Sequence, residues 1–326
     1  MATISIALAA FGALLVLMEP PESTTLALRA AVCLGIVLAA AALAVTLSPW
    51  DRRMLTSGAY FMPRLYIDDS GKPMLKERLK ETRLLFYAEG VTTTPSVAIL
   101  GDINKAFFND GKIEGATAID GMRLQRVLGH MPFLLKKGGA ELALNVGLGS
   151  GITVGAMGTH PVPRIDCAEI EPVVIGAARQ FDKENFSILD RPGLRMIYND
   201  GRNHLMLTQE RYDVISSAPF APLVGGAASL YSLEHFQLVR SRLAPDGMAA
   251  QFLPLYQLSP TDYLTIMKTF AQVFPDATVW FTGTETVLVG GTGSAADQPV
   301  FDFGTMAMRM GEIGRASCRE RVYVLV

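Results

Sequence analysis

Apolar residues crowd the start of the chain and then give way to alternating patterns. Residues 4–18 are almost wholly apolar, a polar break, "EPPESTT", follows, and residues 30–48, "AAVCLGIVLAAAALAVTLS", run apolar without interruption. A bilayer span needs roughly 20 such residues. The pattern therefore predicts a transmembrane helical hairpin over residues 1–48. No basic stretch precedes residue 4, which argues against a signal peptide, and the second run has no polar face to suit a buried helix. The loop between the runs carries Glu19, Glu22 and Arg29, whereas Arg52, Arg53, Arg64, Lys72, Lys76, Arg78 and Lys80 follow the second run. That asymmetry predicts a multi-pass inner-membrane protein, lipid around its helices, with everything after Trp50 in the cytoplasm.

Residues 49–119 read as a linker and a small antiparallel β region, from the short runs "TRLLFYAEG", "SVAIL" and "KAFFNDGKIEG" separated by turn residues. Asp120 then precedes a helical pattern, "GMRLQRVLGHMPFLL", as its expected N-cap. Strands are predicted at 142–146, 164–168, 195–198, 213–217 and 248–253. Helices are predicted at 150–157, 171–182, 201–208, 232–243 and 259–274, the last opening on Ser259-Pro260. "ATVWFTG" and "TETVLVGG" close the pattern as a hairpin. The fold class is α/β: a doubly wound, mostly parallel sheet with a terminal antiparallel hairpin, spanning 120–311. Residues 312–326 have no periodicity. "EIGRASCRERV" resembles the translation of a sequencing-adapter oligonucleotide, so this tail is set aside as non-native, and the same reading allows further membrane helices ahead of Met1.

Composition narrows the chemistry. In 326 residues the net charge is −2, which gives no footprint for nucleic acid. Cys33, Cys167 and Cys318 are scattered, and His130, His160, His204 and His235 show no HxxH or HExxH spacing. A reduced compartment, no metal and no prosthetic group are expected. His130, in "LGHMP", is expected to cap a helix end, and Tyr231 and Phe236 to belong to the core.

"NVGLGSG" follows an apolar strand and opens a helix. Gly147, Gly149 and Gly151 let a ligand approach the backbone. Glu169, with Ile170 beside it, ends the next strand about twenty residues on, where a carboxylate can accept both ribose hydroxyls. Ile152 stands where a dinucleotide fingerprint has Gly or Ala, so the G-x-G-x-G spacing points to a nucleoside and away from NAD. Asp200 and Gly201, in "NDGR", end the third strand, Asp200 either receiving an adenine amino group or simply capping a helix. The loop after the strand at 213–217 reads "APFAP", with no acid and no base.

The ordered motifs "NDGKIEGAT", "LGHMP", "NVGLGSG", "AEIEP", "NDGR", "ASLYSLEHF" and "QFLPLYQLSP" resemble the spermidine synthase (polyamine aminopropyltransferase) family, in particular its branch fused to N-terminal transmembrane helices. The resemblance implies a sheet of S-adenosylmethionine-dependent-transferase type. It implies that decarboxylated S-adenosylmethionine is the donor substrate and a polyamine the acceptor, and that homodimers form. It places Gly147, Gly149, Ser150 and Gly151 around the donor's methionine-derived portion, Glu169 and Ile170 at the ribose, and Asp200 and Gly201 at the adenine. Glu114 and Asp120 would face the acceptor, and Gln251 and Tyr256, matching family positions at the end of the fifth strand, would either face it or merely line the cleft. The family's catalytic acid falls on Ala218, its second loop aspartate on Ala221, and its donor-contacting aspartate on Ser150. The family's Tyr-His-Glu run falls near Leu124, Gln125 and Arg126, whose cation would repel a polyamine. An amine with a pKa near ~10 must lose a proton before it attacks, and a placed base contributes roughly 10²–10⁴-fold. Asp120, Glu114 and Asp110 remain as substitutes, Asp120 being the weak catalytic candidate. Two other functions fit the same residues: a sensor that binds S-adenosylmethionine or methylthioadenosine without turnover, and a methyltransferase.

Overall fold

The computed structural model describes residues 11–12, 14, 26–46, 51–61, 63–100, 104–255, 258–283 and 285–293, and every structural statement below refers to them. Contacts divide the chain into two units, Met1–Asp51 and Arg52–Val326. The first holds helix α1 (Leu26–Thr46). No helix among the described residues is long and apolar enough to cross a membrane. The expected transmembrane pair is thereby corrected, and with it the inner-membrane location and the lipid contact inferred from it. The other expected span, residues 4–18, lies almost wholly outside the described residues, as does the tail at 312–326.

In the second unit, helices α2 (Arg52–Thr56) and α3 (Leu75–Glu81) lead into strands β1 (Arg83–Tyr87), β2 (Pro95–Leu100), β3 (Asn104–Asn109) and β4 (Lys112–Ala116). These pair in sequence order as a four-stranded antiparallel sheet. The loop between β1 and β2 is tied down by Glu171, whose Oε2 accepts from the Thr92 amide at 2.8 Å and the Thr92 hydroxyl at 3.0 Å.

Helix α4 (Ile119–Leu135) follows. Its N-cap is Ala118, which has no side chain to cap with. Asp120 is therefore not the cap: it sits inside the first turn, exposed, 3.2 Å from Arg123 Nη1. His130 is likewise not a terminal cap. It is buried within α4, with Nδ1 3.0 Å from Nε2 of His160.

The large sheet is built from β5 (Leu142–Val146), β6 (Arg164–Glu169), β7 (Leu194–Tyr198), β8 (Tyr212–Ser217), β9 (Leu243–Pro254), β10 (Thr278–Phe281) and β11 (Glu285–Gly291). Its order is β10-β11-β9-β8-β5-β6-β7, parallel from β9 to β7 and antiparallel through β11 and β10. The central strands β5 and β8 are buried along almost their whole length, on both faces, as a parallel sheet covered by helices requires. Connecting helices are α5 (Ile152–Gly158), α6 (Val174–Ala178), α7 (Gly201–Leu207), α8 (Leu233–Arg242) and α9 (Pro260–Val273). Ser232 and Ser259 cap the last two through their side chains. Phe181, Val154 and Met157 fill one core cluster and Phe236, Phe270 and Phe274 another. The reversal of strand order between β5 and β8 places the ligand-binding edge of such a sheet beside residues 147–151.

Candidate active site

The carboxyl ends of the parallel strands open onto a cleft of about 510 Å³, which β3, β4 and the β1–β2 loop line from the other side. At its floor the loop after β5 turns through Gly147 (φ 86°), Gly149 (φ 54°) and Gly151 (φ 75°), three left-handed positions that strain any side-chain-bearing residue. Glu169 fixes this loop. Its Oε2 accepts from the Leu148 amide at 2.7 Å and its Oε1 from the Glu171 amide at 2.9 Å. Burial pushes the Glu169 carboxyl up, while the amides of Leu148, Glu171, Gly149 and Ile170 pull it back by bonding the charged form.

Asp200 ends the next strand and caps α7, accepting from the Asn203 amide at 2.8 Å. Helix capping is thus one of its roles, and its place on the cleft wall leaves room for the other. A side chain at Gly201 would run into Val146, so only glycine lets this helix start lie against β5.

The remaining wall is made from parts distant in sequence. Lys112 and Glu114, two apart on β4, both line the cleft, with Lys112 Nζ 2.6 Å from Glu114 Oε1. Burial raises the Glu114 carboxyl above its ordinary range, opposed by Lys112. Glu285, at the start of β11, lines the same cleft. Tyr231, on the turn Ala227–Tyr231, lies within electrostatic reach of both: burial first, then the charge of Glu114 and more weakly of Glu285, raise its hydroxyl, while a hydrogen bond with Gln251 lowers it. The Tyr231 hydroxyl is 3.5 Å from the carbonyl of Pro219. It thus adjoins the loop after β8, which presents Ala218, Pro219 and Phe220 to the cleft.

The structure brings Gly147, Gly149, Ser150, Glu169, Ile170, Asp200, Gly201, Glu114 and Ala218 to one cleft. Gly151 stands behind it as the N-cap of α5. Ser150 is buried, and its hydroxyl donates to Gln125 Oε1. Gln251 is buried beneath the wall and does not line it, because its strand position faces Tyr231. Asp120 pairs with Arg123 and does not line the cleft, and Arg126 is not on the wall either. Tyr256 lies outside the described residues. Lys112, Gln125 and Glu285 were not expected on the wall as ligand contacts. The alternation of Lys112 with Glu114 was the available signal for the first; Glu285 has none, because its place depends on β11 pairing with β9. Among the described residues no group of His, Cys, Asp or Glu could hold a metal ion.

Comparison with known proteins decides the family. Residues 122–302 match the model described as the spermine/spermidine synthase domain. The chain belongs to that family. Among curated spermine/spermidine synthase relatives, polyamine aminopropyltransferase 2 of Hyperthermus butylicus is 30% identical over 201 residues, covering 60% of this chain and 65% of the relative. Polyamine aminopropyltransferase 1 of Streptomyces coelicolor is 28% identical over 187 residues, covering 56% of this chain and 34% of the relative. The chain thus spans less than two thirds of the length of these relatives. Among solved structures, a spermidine synthase in complex with the transition-state analogue AdoDATO superposes with a TM-score of 0.60 at 19% identity, covering 72% of this chain and 89% of that one. The spermidine synthase of Thermotoga maritima gives 0.58 at 18%, covering 72% and 88%. These two likenesses establish the fold. The expected assignment to the membrane-fused branch is corrected: the family stands, and the described helices supply no membrane span.

Proposed function

We propose that this chain binds decarboxylated S-adenosylmethionine as donor substrate and transfers its aminopropyl group to an amine. The observation that carries the reading is the juxtaposition, in one cleft, of Glu169 and Asp200 at adjacent strand ends with Asp110, Glu114 and Glu285 opposite. Carboxylates outnumber the single lysine on this wall, which favours a cationic ligand, and the decarboxylated donor carries both a sulfonium and an ammonium. In this reading Glu169 accepts from the ribose hydroxyls through lone pairs that the amides of Leu148 and Glu171 leave open. Asp200 receives the adenine amino group, Gly147 and Gly149 flank the sulfur, and residues 120–311 form the nucleoside-binding domain. The names of the relatives, polyamine aminopropyltransferases, agree with it.

Calorimetric titration of the full chain with decarboxylated S-adenosylmethionine, intact S-adenosylmethionine and methylthioadenosine tests the reading. The expected result is tightest binding of the decarboxylated donor, because the intact molecule brings a carboxylate toward an acidic wall. Equal or tighter binding of the intact form overturns it. One observation favours a second reading, binding without turnover: Ala218 supplies no acid at the cleft. In that case methylthioadenosine binds and no amine yields product.

A further inference from the structure

From the geometry of the far end of the cleft we infer that Glu114 takes the proton from the acceptor amine. This rests on the aminopropyl-transfer reading above and adds to it the residue that makes transfer feasible without an acid in the loop after β8.

The carboxylates of the wall differ in what they are already bound to. Glu169 and Asp200 hold the main chain at the nucleoside end. Asp110 is exposed and accepts from the Thr94 amide and the Thr93 hydroxyl, both at 2.9 Å. Glu285 is not free. Glu114 binds Lys112 through Oε1 only, and its Oε2 has no hydrogen-bond partner among the described residues. It faces Tyr231, whose hydroxyl adjoins the Ala218–Pro219 turn.

Lys112 is itself informative. It is a primary ammonium held at 2.6 Å from Glu114 inside the cleft, with its side chain nearly buried. The chain thus already accommodates, within itself, the pairing that an acceptor ammonium would make, and it keeps one carboxylate oxygen for a second such group. Charged and titratable groups surround Glu114: Lys112 on its own strand bonds it, Tyr231 on the turn before α8 feels its charge, and Asp110 on the β3–β4 turn and Glu285 on β11 line the same cleft. Burial raises the Glu114 carboxyl, which brings it closer to the pKa of the amine it must deprotonate and makes it a better base.

The step balances as follows. A protonated primary amine gives its proton to Glu114 Oε2. The freed lone pair attacks the donor methylene next to the sulfonium, a C–N bond forms, and the C–S bond breaks with its electron pair going to sulfur. Neutral methylthioadenosine leaves, and the positive charge now resides on the secondary ammonium of the product.

The test uses the full chain with decarboxylated S-adenosylmethionine and either propane-1,3-diamine or butane-1,4-diamine. It follows methylthioadenosine release against pH for wild type, Glu114→Gln, Glu114→Asp and Glu285→Gln, and calorimetric methylthioadenosine binding for each. Glu114→Gln should lower the rate by at least about 100-fold and remove the limb of the pH profile set by the carboxylate, leaving only the rise that follows the amine's own ionisation, while methylthioadenosine affinity stays within about twofold. Glu114→Asp should keep the carboxylate limb at a reduced rate, which separates loss of the base from loss of the fold. A Glu114→Gln rate near wild type, a carboxylate limb that disappears in Glu285→Gln instead, or a wild type that binds the donor but releases no methylthioadenosine overturns the assignment of Glu114. A wild type that binds no nucleoside at all overturns the aminopropyl-transfer reading itself.

Discussion

The two ends of the cleft are built on different principles. The proposed nucleoside end is main chain: a glycine turn, a helix start and a carboxylate that bonds the amides of Leu148 and Glu171. The proposed amine end is side chain: Lys112 and Glu114 from one sheet and Glu285 from the terminal hairpin line it, with Tyr231 of a short turn buried within electrostatic reach of both carboxylates. The first end cannot be altered without altering the fold, whereas the second can exchange its charges while the strands stay in place. A chain can therefore keep a donor site intact while the acid beside the acceptor changes position.

Breaking the nucleoside end should have the largest effect. Glu169→Ala removes charge-assisted hydrogen bonds to two buried amides and should destabilise the protein by about 3 kcal/mol. The same variant should weaken methylthioadenosine binding by about 100-fold, as thermal unfolding and calorimetry would register; a change in affinity with unchanged stability would mean that the two roles are separable.

A pH effect of similar size comes from behind the nucleoside end. His235 is fully buried, neither ring nitrogen has a hydrogen-bond partner, and burial, with a smaller contribution from Arg202, lowers its pKa to about 4. Its folded value lies below its unfolded one of about 6.5, so the stability it contributes is complete above that pH and is lost as the pH falls toward 4. The loss by pH 4 should be about 3 kcal/mol. Thermal melts of His235→Leu should show a flatter acid slope and, at neutral pH, a gain of about 1 kcal/mol, because an unsatisfied buried polar group has been removed. His130, also lowered to about 4, should retain part of the slope.

The smallest effect sharpens the amine end. Ala218→Glu, introduced into Glu114→Gln, should restore methylthioadenosine release by about tenfold, since the turn carrying Ala218 lies beside Tyr231. Failure of the rescue would confine the working position to β4.

This contrast also explains what could be read from the sequence. The parallel strands, the glycine turn, Glu169 and Asp200 were legible because each depends on residues within one strand–turn–helix unit. Lys112 and Glu285 were not, because their meeting depends on β4 lying across from the β9–β11 pairing, which no local pattern encodes. Asp120 misled because a good capping residue stood two positions after the true cap, Ala118. The run at 30–48 misled because apolar length alone was read as a span, whereas no helix among the described residues is long and apolar enough to cross a membrane.

One connection has a mechanical meaning. Glu169 holds the glycine turn and the Glu171 amide, and Glu171 in turn holds Thr92, so two carboxylates two positions apart staple the floor of the cleft to the β1–β2 loop opposite. A cleft pinned along one edge opens as a wedge. Such a pin predicts breathing that is smallest near Glu169 and largest toward β4, where the proposed amine would exchange while the proposed nucleoside stays seated.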